Sequence, residues 1–135
     1  MGRARTEALQ RDLAAAYEGS KWHSVKSAMK GMKPEETHWK PQNYKGFPHM
    51  DGSIQNIIFH LGGDSHFQYD YALGQAKLTW DALTQRFNEM GGDLAAAIRL
   101  VDEGYQQLQS ALDNLDDEML MRTYTPPEGS GQRTL

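Results

Sequence analysis

Seven residues, Leu94, Ile98, Val101, Tyr105, Leu108, Leu112 and Leu115, recur at intervals of 4-3-4-3-4-3. That spacing holds an apolar seam on one side of an α-helix over three heptads. A seam this regular excludes a strand and requires neighbouring helices at shallow crossing angles. Asp93, just after Gly91-Gly92, is placed to cap the helix start, because its carboxylate can accept unpaired amides of the first turn.

A second helix is expected from Ser53, its N-cap, through Ile54, Ile57, Ile58 and Leu61. At helical spacing the stripe then continues through Asp64, Gln68 and Tyr71. An inward face that turns polar costs burial energy unless its groups find partners, and such violations mark candidate sites. Gly62-Gly63 lies inside this helix at a propensity cost, so close packing is expected there. A first helix carries Leu9, Leu13, Ala16 and Tyr17, and Gly19-Ser20 ends it. A new turn then places Trp22, Val25, Met29 and Met32 toward the core. Pro34 opens a short helix, residues 41–52 form a loop, and Leu78 to Met90 form another short helix with Leu78, Leu83 and Phe87 inward. Asp116-Asp117-Glu118 reads as a helix start ahead of Met119-Leu120-Met121. Residues 123–135 read as a loop and tail, in which Thr134 is where a new helix would begin.

At 135 residues the chain is expected to form one all-α domain, an up-down bundle of three long helical elements with a fourth missing or supplied by a partner. Without a fourth helix the seam leaves an apolar strip exposed, which favours dimerisation.

Composition narrows the function. The absence of cysteine excludes disulfides and cysteine nucleophiles and makes the cytoplasm the expected compartment. No apolar run approaches the roughly 20 residues that cross a bilayer, so no membrane role is expected. Residues 1–45 carry nine Lys/Arg and five Asp/Glu, and residues 46–135 carry five and thirteen. The basic part is diluted by acids, so nucleic acid is not an expected partner. There is no Gly-Lys-Ser/Thr phosphate loop and no Gly-x-Ser-x-Gly elbow.

The residue type that carries chemistry is histidine. His60 sits in the second long helix with Asp64 one turn on, and imidazole with a carboxylate can bind a divalent metal. The alternative is an interior histidine satisfied by hydrogen bonds. His66 falls on another face and is expected to be exposed. His38 and His49 lie in loops.

Three stretches resemble the DinB/YfiT-like superfamily. They are Ala16-Tyr17-Glu18-Gly19-Ser20-Lys21-Trp22-His23, Met32-Lys33-Pro34-Glu35-Glu36-Thr37-His38-Trp39-Lys40-Pro41, and Ser53-Ile54-Gln55-Asn56-Ile57-Ile58-Phe59-His60-Leu61. The similarity runs in order over nearly the whole chain. It implies a four-helix bundle, often dimeric, holding nickel, zinc, iron or manganese, with the first metal ligand at His60. Asp64 is the candidate co-ligand, and Trp22, His23 and Tyr71 are candidate neighbours of the metal or substrate contacts. For His23 a capping or surface role is the alternative. The family's second and third ligands lie on a last helix, which would begin near Leu135, and no position here matches them. The chain is therefore expected to be a truncated product, or to take a donor from Asp64, His66 or a partner chain. The implied activity is that of a metal-dependent thiol S-transferase or hydrolase-like enzyme using a low-molecular-weight thiol, or of a thiol-dependent isomerase. The competing expectation is a non-catalytic, truncated or degenerate bundle that acts as a dimerisation module.

Overall fold

The computed structural model describes residues 2–19, 23–46, 50–126 and 131–135. Five helices carry the fold: α1 (Ala4–Tyr17), α2 (Val25–Met29), α3 (Ile54–Leu73), α4 (Trp80–Glu89) and α5 (Leu94–Asp113). Single 3-10 turns cover Pro34–Glu36 and Met119–Met121. The all-α expectation holds apart from one two-stranded ribbon, in which β1 (Thr123–Tyr124) pairs antiparallel with β2 (Arg133–Thr134). Thr134 thus lies in a strand rather than at a helix start, because its neighbours spend their backbone groups on the ribbon, with the Leu135 amide donating to Arg122 O at 3.1 Å. No described helix is long and apolar enough to cross a membrane.

The helix starts follow local chemistry. Ser53 Oγ accepts from the Asn56 amide at 3.2 Å, and Asp93 Oδ1 accepts from the Ala96 amide at 2.9 Å. Both are the expected caps. The fourth helix starts at Trp80, capped by Thr79, rather than at Leu78. The cause is Asp70, whose carboxylate accepts from the Lys77 and Leu78 amides, each at 2.7 Å, and holds them in the loop.

Helix α5 is the centre of the packing, with α3 along most of its length and α1 on its other flank. Its buried residues are Leu94, Ala96, Ala97, Leu100, Val101 and Gly104. The seam read from the sequence therefore lies at the edge of the buried face, and small residues occupy its middle. The buried face of α3 is also rotated from the expected stripe. Ile58, Phe59, Gly62, Gly63, His66 and Phe67 are buried, whereas Ile57 is 51% and Leu61 43% exposed. The reason is close approach at glycine. A Cβ on Gly62 would lie 2.7 Å from the Val101 amide nitrogen and 2.8 Å from Leu100 C. Only a hydrogen fits there, so the glycine face turns inward. Val25, Met29 and Met32 pack on the core as expected, and Trp22 lies outside the described residues.

The two ends of the chain are latched across α1 and α5. Asp117 Oδ1 accepts from the Arg5 amide at 3.0 Å, the Thr6 amide at 2.9 Å and the Thr6 hydroxyl at 3.1 Å. It thereby satisfies the free donors at the start of α1. Arg3 answers at the other end by donating to Leu112 O and Asp113 O, and in a short contact to Leu115 O, at the end of α5. The Thr6 amide, followed by the Arg5 amide, holds the Asp117 carboxyl below the ordinary carboxylate range. A lowered folded pKa stabilises the fold above about pH 4, and that contribution is lost as pH falls through the folded value. Asp117→Asn is expected to unfold at lower temperature at neutral pH and to lose less on acidification. Thermal melts of both proteins across this range check it.

Candidate functional site

Helix geometry decides where the candidate metal residues point. Successive helical residues are about 100° apart, so residues two positions away face nearly opposite ways. Gly62 marks the side of α3 against α5. His60 and Asp64, two before and two after it, share a face that turns away from α5. His60 is half-buried and stacks on Trp80, with ring centroids 4.9 Å apart and an interplanar angle of 8°. Asp64 Oδ1 accepts from Gln68 Nε2 at 3.3 Å, and Gln68 Oε1 accepts from the Tyr124 hydroxyl at 3.3 Å. Tyr71 packs on Phe67 at 4.9 Å between centroids, and His23 is exposed. The structure thus brings His60 and Asp64 to one face of one helix, and Tyr71 follows on the same face two turns past Asp64. His49 lies outside the described residues.

His66 is a correction. It is buried at 8% exposure rather than exposed, and its Nε2 lies 3.2 Å from Leu100 O. Its position four residues from Gly62 puts it on the α5 side, which sequence spacing from Gly62 could have shown. Burial, and then the charge of Arg86, push its pKa below the ordinary histidine value. The unfolded chain therefore takes up the proton more readily. Stability is full above about pH 6.5 and declines as pH falls toward the folded value. His66→Gln is expected to flatten the stability profile between about pH 7 and 5. Denaturant titrations at several pH values measure it.

A divalent metal of the implied kind takes three protein donors in most catalytic sites. Among the described residues no three His, Asp or Glu side chains converge on such a point. The described residues therefore do not fit a resident metal by themselves.

The structure instead presents an apolar groove between α1 and α3, floored by α5. One cavity of about 190 Å³ is lined by Leu13, Ala16 and Tyr17 from α1, Leu61 and Ser65 from α3, and Val101, Tyr105 and Leu108 from α5. A second, about 200 Å³, continues past Leu108 along Leu9, Tyr69, Ala72, Leu73, Leu112 and Leu115, and ends against Leu120, Tyr124 and Leu135. Leu108 lines both, so the two are halves of one trough. Leu9, Leu61 and Leu73 stand on its rims at 44%, 43% and 39% exposure. The floor carries the later part of the heptad seam. Of the Leu94–Leu115 seam expected to lie exposed, Leu94 and Val101 are buried, and Tyr105, Leu108, Leu112 and Leu115 are half-buried. Within the trough Tyr17 stacks on Tyr105 at 4.0 Å between centroids, which stiffens the upper end.

No curated protein and no solved structure matches the chain. A family model described as the DinB superfamily matches residues 20–135. That span holds α2 to α5 and the motifs at Pro34-Glu35-Glu36 and Ser53 to Leu61. The chain belongs to the DinB superfamily.

Proposed function

We propose that this chain works as an association module, and that the α1–α3 groove seats a second copy of the same chain. The groove carries the reading. Its lining is almost wholly apolar, it follows the later part of the α5 seam, and leucines at its rims stand in solvent. A two-fold pair also buries the same patch on both copies, as a self-complementary groove requires.

Light scattering on the purified protein tests the reading. The expected mass is that of a dimer, rising from monomer on concentration. A chain that stays monomeric throughout contradicts it.

The metal-dependent thiol chemistry that the resemblance implies needs donors beyond the described residues. What supports it is the match of His60 to the family's first ligand and the carboxylate of Asp64 one turn on. Elemental analysis of the wild type and His60→Ala separates the two readings. A stoichiometric nickel, zinc, iron or manganese ion that vanishes in the variant would favour the enzyme, and metal-free samples of both would favour the association module.

A further inference from the structure

The residue that the family resemblance makes a metal ligand is built into something else. Trp80, the first residue of α4, lies in a slot on α3. The floor of the slot is Gly63, where an added Cβ would come within 2.7 Å of Trp80 Cζ3. One wall is His60, stacked almost parallel to the indole at 4.9 Å. The other is Phe67, stacked at 5.8 Å and 21°. Phe59 closes the inner end edge-on, with centroids 6.1 Å apart. His60, Gly63 and Phe67 are spaced i, i+3 and i+7, which puts them in one row along the helix.

We propose that His60 serves as one jaw of this aromatic slot, and that its work in this chain is to dock α4 onto α3. A flat ring stacked on an indole adds contact and a favourable arrangement of ring charges beyond the area it buries. The slot needs a planar side chain at position 60. Gly63 is fixed by the same device, because any side chain at that position would lift the indole off the helix. The argument also explains a feature that helix propensity opposes. Two successive glycines in mid-helix serve two different neighbours, Gly62 receiving α5 and Gly63 receiving Trp80. Docking α4 carries weight for the whole core, because Leu83 and Phe87 of α4 are buried and Phe87 packs on Phe59 at 4.7 Å between centroids.

The test isolates Trp80 by placing Trp22→Phe and Trp39→Phe in the background, so that a single indole emits. His60→Phe, His60→Ala and Gly63→Ala are then compared with that parent by fluorescence, near-ultraviolet circular dichroism and thermal melting. His60→Phe is expected to keep the blue-shifted emission, because a planar ring still faces the indole. His60→Ala and Gly63→Ala are expected to red-shift the emission and melt lower, or to fail to fold while His60→Phe folds. The proposal is overturned if His60→Phe behaves like His60→Ala, or if Gly63→Ala leaves the Trp80 signal unchanged. It is also overturned if the full-length wild type carries a stoichiometric metal that His60→Phe lacks.

Discussion

Alanine at Gly62 is expected to destabilise this protein by up to about 2 kcal/mol net, although alanine is the better helix former. Two effects compete at this position. Helix propensity favours alanine by about 0.8–1.0 kcal/mol. Against it, the new methyl would lie within 2.8 Å of two α5 backbone atoms, the Val101 amide nitrogen and Leu100 C, which cannot rotate away. Helix α3 must therefore move off α5, and overpacking of this kind costs about 1–3 kcal/mol. The contact is the broadest in the fold, so packing should win. Gly104→Ala is expected to act the same way, since its Cβ would lie 2.8 Å from Ser65 Cβ and 3.6 Å from Gly62 O. The double variant should cost less than the sum of the two. Once the helices have separated for one methyl, much of the room for the other exists. Urea unfolding of the two single variants and the double variant measures both the sign and the coupling. A Gly62→Ala protein more stable than wild type would show that the helices do not pack this closely.

The second large effect is on association. Leu108→Lys places an ammonium on the floor where both halves of the groove meet. In the monomer Leu108 is only half-buried, so the lysine can reach water and the fold should survive. In the pair the same charge would be buried without a partner. A loss of about 2 kcal/mol or more, the scale of a central interface residue, corresponds to roughly thirtyfold weaker association. Sedimentation equilibrium gives that ratio, with circular dichroism as the check on folding. Lysine at the exposed position of Glu89, in the last turn of α4, is the control and should leave the constant unchanged.

The expectations that stand on local chemistry agree with the structure, and those that need long-range information diverge. Ser53 and Asp93 were legible as caps because a cap acts over three residues. The heptad seam gave the helical class, since that follows from spacing along a single helix, whereas the burial of Leu94 and Val101 depends on neighbours that spacing does not show. The inward face of α3 was not legible from its large residues. Counting Ile57 and Leu61 as core turned the helix the wrong way, because the tightest contact is made at Gly62, which has no side chain to count. The same rotation carried His60 and Asp64 to the outer face and His66 inside. The Asp117 latch on α1 spans more than a hundred residues and leaves no periodic trace, although its acidic cluster was recognised as suited to a helix start. The slot for Trp80 needs the fold of the 74–79 loop, which Asp70 sets through backbone bonds that no spacing rule reveals.

The central claim is that the trough over α5 is where two copies meet. Methyl-labelled leucine spectra, recorded as the protein is diluted, report on association and on its location together. The methyl signals of Leu9, Leu61, Leu108 and Leu112 are expected to move with concentration while those of Leu83 and Leu94, buried away from the trough, stay in place. Spectra that do not change on dilution, or changes that spare the trough, would contradict the account.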